Sequence, residues 1–81
     1  MILDLSPQQR KVLKFIEDDV GLVFTHDNRN LEMIRKFMGW ERRSSVTDAL
    51  YNLRGKGYLQ SEGESTKKPE RWHVIVTEGG V

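Results

Sequence analysis

Between Glu41 and Leu59 the chain sets out polar side chains at intervals that a helix would gather on one side: Arg42, Arg43, Ser44, Ser45, Thr47, Asp48, Tyr51, Asn52 and Arg54. They supply guanidinium and amide donors, hydroxyls, one carboxylate and one flat aromatic ring. That is the chemistry of holding a ligand by hydrogen bonds and charge, not of making or breaking bonds. Arginine, Ser, Thr and Asn side chains can engage phosphate oxygens or base edges, and a fork of two donors on guanine is the commonest base-specific contact. Asp48 would repel a phosphate, so its role is to accept from a cytosine amino group or to pair with a neighbouring Arg or Ser. The bland alternative for each residue taken singly is a solvated helix face.

Catalysis finds no support. The chain has no phosphate-binding glycine loop, no nucleophile beside an ordered base and no metal-ligand spacing. Zero cysteines exclude disulfides and thiolate metal sites. His26 and His73 lie far apart in sequence without a companion ligand. No enzyme activity, cofactor, metal or small-molecule ligand is therefore expected.

The net charge is only +1, but its distribution is uneven. Residues 35–58 carry six basic and two acidic groups (+4), against −2 for residues 1–34 and −1 for residues 59–81. A positive excess on the presenting segment is what an anionic polymer would favour, because phosphate neutralisation dominates such binding. Lys67, Lys68 and Arg71 add three cations near the C-terminus, diluted by Glu62, Glu64 and Glu70.

The elements that must position these groups follow from periodicity. Val46, Ala49, Leu50 and Leu53 fall at i, i+3, i+4 and i+7, the inner stripe of a helix over about 44–54. Ser44 or Ser45 is expected to cap it, and Gly55 and Gly57 to stop it. A first helix is expected from Ser6, with Pro7 at its first position and Gln9 completing a capping box, to Gly21. Its stripe is Val12, Leu13, Ile16 and Val20, with Phe15 on the margin. Leu22–Thr25 reads as a short strand or extended link. A second helix is expected over about 31–38, capped by Asn30, ended by Gly39, and burying Leu31, Ile34, Phe37 and Met38. Six residues separate Gly39 from Val46, one more than the common helix-turn-helix spacing, and Trp40 is expected to fill the widened turn. Residues 58–62 read as a strand that turns polar. Gly63–Pro69 reads as a loop. Residues 70–77 form the clearest strand, Trp72, Val74 and Val76 alternating with Arg71, His73 and Ile75.

In this order the chain resembles a winged helix-turn-helix DNA-binding domain, an α+β fold with three helices, a short strand and a C-terminal two-stranded β-hairpin wing. The stretch Val46-Thr-Asp-Ala-Leu-Tyr-Asn-Leu-Arg-Gly-Lys-Gly-Tyr-Leu59 carries the resemblance, being similar to the third helix and second strand of many bacterial, archaeal and phage regulators. The resemblance implies a regulator of transcription that binds double-stranded DNA, its third helix (about 44–54) in the major groove and its wing (about 61–71) on the backbone. It implies a cytoplasmic, nucleoid-associated protein, or a nuclear one in a eukaryote. A narrower likeness, carried by Gln8–Glu17, Ala49–Gln60 and Lys68–Val74, is to the Z-alpha domains that bind left-handed nucleic acid. It implies a contact between Tyr51 and Trp72 from helix to wing, with Arg43 and Thr47 standing where that family has Lys and Asn, and Pro69 for one of two wing prolines. A third reading, from another class, is a winged helix used for protein contacts or for a homodimer, through an exposed patch of Trp40, Phe24 and Ile75.

At 81 residues the chain is one domain with a core over about 6–77, and a chain this size buries roughly 60–65% of its unfolded surface. It has no run near the ~20 apolar residues of a membrane span, and its first residues lack the pattern of a secretory signal.

Overall fold

The computed structural model describes residues 5–63 and 69–75. Ser6 opens the first helix, α1 (Pro7–Phe15), with the expected capping box. The Ser6 hydroxyl accepts from the Gln9 N–H at 3.2 Å and the Gln9 side chain accepts from the Ser6 N–H at 2.9 Å. Val12 and Leu13 are buried against the core. The regular helix does not run on to Gly21. It widens after Phe15 into a π-helical turn, Ile16–Val20, closed by the Gly21 N–H on the Ile16 carbonyl at 2.7 Å. Glu17, Asp18 and Asp19 fill that turn, and carboxylates at the negative end of a helix dipole disfavour its continuation.

Leu22 leads into a three-residue strand, β1 (Val23–Thr25), of which only Phe24 points inward. The second helix, α2 (Asn28–Met38), begins three residues before the expected Leu31, and its cap is Asp27, not Asn30. Asp27 Oδ1 accepts from the Asn30 N–H at 2.9 Å, and Oδ2 accepts from the Thr25 hydroxyl at 2.6 Å. The Asn30 amide instead donates back to the Thr25 carbonyl at 2.8 Å. The end of β1 and the start of α2 are thus one hydrogen-bonded corner. Gly39, at φ 72°, ends α2. Half-buried Trp40 packs on the core in the turn that follows, as expected of a widened turn.

The third helix, α3 (Arg43–Gly55), buries Val46, Ala49, Leu50 and Leu53, the anticipated stripe. Its cap differs from expectation. Arg42 is the cap residue and makes no side-chain cap bond. Ser44 and Ser45 already lie within the first turn, where a hydroxyl cannot reach the orphan N–H groups ahead of it.

Past Gly57 (φ 90°) come β2 (Leu59–Glu62) and β3 (Arg71–Val74). The sheet has three antiparallel strands in the order β1-β3-β2. The expected two-stranded hairpin is therefore part of a three-stranded sheet, with Phe24 opposite Trp72 and Ser61 opposite Trp72 on the other side. Trp72 and Val74 point into the core and Arg71 is exposed. The architecture is thus a small α+β domain of three helices and a three-stranded antiparallel sheet, a topology compatible with a winged helix. Among the described residues no helix is long and apolar enough to cross a membrane.

Two apolar residues changed place relative to expectation. Phe37 is 44% exposed, stacked on Phe15 with centroids 4.1 Å apart. Phe24 is buried, so it belongs to no surface patch; Leu22 and Val23 before it and Ile75 just past β3 are exposed apolar residues.

The Asp27 corner carries a pH signature. The Thr25 hydroxyl, then the Asn30 N–H, hold the Asp27 carboxyl below its ordinary value of 3.8. A folded-state value lowered in this way adds stability that is fully present above the unfolded value and is lost as pH falls through the folded one. Asp27→Ala is expected to melt at lower temperature than wild type at neutral pH. The gap should close on acidification below about pH 4, read by thermal melts at a series of pH values.

Candidate functional site

The outward side of α3 is set by how Trp72 is held. This indole is completely buried, and a buried N–H left without an acceptor costs about 1–3 kcal/mol. The acceptor is Nδ1 of His26, 2.9 Å from Trp72 Nε1. On another side the Tyr51 ring meets the indole edge to face, with centroids 5.7 Å apart and planes at 65°. The Arg54 guanidinium lies 4.8 Å from the Tyr51 ring centroid and 5.9 Å from that of Trp72, and donates to the Ser61 hydroxyl at 2.7 Å. Residues from the β1–α2 corner, α3, β2 and β3 thus converge on one aromatic column.

Arg54, grouped by the sequence with the outward residues, is half-buried and turned onto this column. Tyr51 is likewise half-buried. His26 and Ser61 entered no candidate set. The only sequence signal for His26 was indirect: an inward-facing Trp on a strand needs an acceptor somewhere.

The remaining polar residues do not share one surface. Arg43, Ser44, Thr47 and Tyr51 line a cleft of about 430 Å³ against His26 and Asn28. Ser45, Asp48 and Asn52 line another, of about 330 Å³, against Gln8 and Trp40. Each residue turns a helix by about 100°, so positions 43, 47 and 51 advance together along one flank and 45 and 52 along the other. Arg42 is exposed at the cap position. Arg71 is exposed on β3 and paired with Glu62 opposite it at 3.1 Å, a surface pair worth only about 0–1 kcal/mol. Lys67 and Lys68 lie outside the described residues.

The two flanks differ in charge. Arg43 reaches Glu32 of α2 at 3.6 Å and stays half exposed. Glu32 is already committed to Arg35 by two hydrogen bonds of 2.8 Å. Those bonds hold the Glu32 carboxyl below its ordinary range and raise Arg35. Arg35 also donates to the Trp40 carbonyl at 2.9 Å, tying α2 to the turn before α3. Glu32 therefore serves two arginines, and Arg43 holds the longer contact. Its flank can take an anion, with hydroxyls and a ring alongside. The opposite flank has a carboxylate, two hydroxyls and amides, and no cation among the residues that line it.

No protein-family model, curated protein or solved structure matches this chain.

If the column couples helix to sheet, Tyr51 and Trp72 must interact energetically. A double-mutant cycle with Tyr51→Leu and Trp72→Leu is expected to give a coupling of about 0.5–1.5 kcal/mol in urea unfolding. Additive effects would mean that the two rings merely lie near each other.

Proposed function

We propose that this chain is a winged-helix nucleic-acid-binding domain, and that it acts as a DNA-binding regulator. In this reading α3 is the recognition helix, and β2 and β3 with the loop between them are the wing. The observation that carries the proposal is the placement of Arg43, Ser44, Thr47 and Tyr51 along one cleft beside α3, on the segment that holds the chain's positive excess. A helix anchored by four buried side chains can present these groups without first ordering itself, so little affinity is lost to conformational entropy.

The asymmetry of the two flanks gives the proposal an orientation. Phosphates belong on the Arg43 side. Base edges belong on the side of Ser45, Asp48 and Asn52, where an amide matches the donor-acceptor edge of adenine and a carboxylate the amino group of cytosine. A duplex bound this way is double-stranded DNA read in its major groove. A second copy of the chain would be needed to read a palindrome.

A second reading is favoured by one specific observation, the edge-to-face packing of Tyr51 on Trp72. That is the arrangement expected from the likeness to Z-form-binding domains, in which the helix tyrosine lies against a nucleotide. Pro69, buried beside β3, fits the same likeness. Thr47 in place of that family's Asn makes the B-form regulator the first choice.

The test is a titration of labelled random-sequence B-form DNA and of an alternating CG duplex, at low and moderate salt. Both are expected to bind, more weakly as salt rises. Arg43→Ala should flatten the logarithmic salt dependence by about one unit. Asn52→Ala should leave that slope alone and relax base preference by about 1–3 kcal/mol. Inversion of the circular dichroism spectrum of the CG duplex would select the Z-form reading. Absence of binding to either duplex at low salt would overturn both and leave protein contacts as the role of the surface.

A further inference from the structure

The geometry points to His26 as a positioning residue for the Tyr51 flank of the interface, one that works only while its imidazole is neutral. An indole nitrogen can donate and cannot accept. The Trp72 N–H at 2.9 Å therefore requires a lone pair on His26 Nδ1, which fixes the ring proton on the other nitrogen. Protonation fills that lone pair. Two donors then face each other across a bond whose indole side is completely buried. Trp72 must then give up its acceptor or shift, and Tyr51 and Arg54 rest on the same indole.

The His26 backbone reinforces the arrangement, its N–H donating to the Glu70 carbonyl at 2.9 Å, just before β3. His26 thus grips the sheet by main chain and side chain, and lines the cleft that holds Arg43 and Tyr51.

The surrounding charges make the sign of the pH effect diagnostic. Arg43 of α3 shares the cleft with His26, and Asp27 is next in the chain, with its carboxyl held in the ionised form by Thr25 and Asn30. Glu70 precedes β3, and Arg71 pairs in register with Thr25. Protonating His26 adds a positive charge beside Arg43. By charge alone, acid would strengthen binding to a phosphate backbone. By loss of the Trp72 acceptor, acid weakens it. The other histidine, His73, sits 3.5 Å from Glu62 on the sheet.

This inference rests on the proposed interface, but one of its readouts does not. On the isotope-labelled full chain, the Trp72 indole N–H resonance and its solvent exchange would be followed from about pH 8 to about pH 5.5, across the ordinary imidazole range. Affinity for a random-sequence duplex would be measured at the same pH values. In wild type the indole N–H is expected to shift and to exchange faster as pH falls, and affinity to drop about three- to tenfold, the size of one hydrogen bond. His26→Gln keeps a carbonyl acceptor that does not titrate. It should hold the indole signal steady and remove the acid weakening, whereas His26→Phe should resemble acidified wild type at every pH. His73→Gln should leave the wild-type profile in place. An indole signal unchanged through the imidazole range, or a His26→Gln protein with the wild-type pH profile, overturns the inference. If no duplex binds at any pH, the interface reading fails, and the indole signal alone decides whether His26 holds Trp72.

Discussion

A buried indole has one N–H and one way to satisfy it, and the packing beneath the proposed binding surface is gathered around the residue that makes that bond. Trp72 is completely buried in β3, the middle strand. Its N–H reaches His26 at the corner between β1 and α2, its ring supports Tyr51 of α3, and Arg54 joins the stack from α3 while holding Ser61 of β2. Displacing the indole would loosen the sheet from the helix and the helix side chains from one another. Burial makes the arrangement stiff, because a buried polar group that loses its partner costs more than a formed hydrogen bond contributes.

The second constraint is electrostatic. The chain is nearly neutral overall, so the proposed anion binding would have to come from local arrangement. Glu32 could have cancelled Arg43. Instead, Arg35 takes both Glu32 oxygens at 2.8 Å and leaves Arg43 the longer contact. The same Arg35 ties down the Trp40 turn, so one side chain both shapes the approach to α3 and spares its first cation. The carboxylate on α3, Asp48, lies on the opposite flank. Repulsion and attraction are thus separated by the width of a helix.

Much of the fold was legible in the sequence, because helix periodicity and strand alternation are imposed by the same core that the structure buries. The stripe Val46, Ala49, Leu50, Leu53 and the Ser6 box are of this kind. The helix starts were less legible. Asp27 and Asn30 are both good caps, and so are Ser44 and Ser45; only the tertiary corner at Thr25 and the reach of the Trp40 turn decide where each helix begins. The π-helical turn has no pattern of its own in the sequence. Phe37 kept helical spacing yet ended half exposed, because Phe15 offered a stacking partner at the rim. For the candidate site, the inner stripe of α3, and with it the polar residues left over, could be read from the sequence. The division of those residues into two flanks could not, since it depends on where α1 and the β1–α2 corner lie. His26 was invisible as a partner of Trp72 across 46 positions of sequence.

The most direct measurement is a backbone and indole NMR footprint of the labelled chain with a short random-sequence duplex at low salt. The largest changes are expected on Arg43, Ser44, Thr47, Tyr51 and the Trp72 indole N–H, and added salt is expected to reverse them. Changes confined to the exposed apolar residues Leu22, Val23 and Ile75, or none at all at low salt, would contradict it.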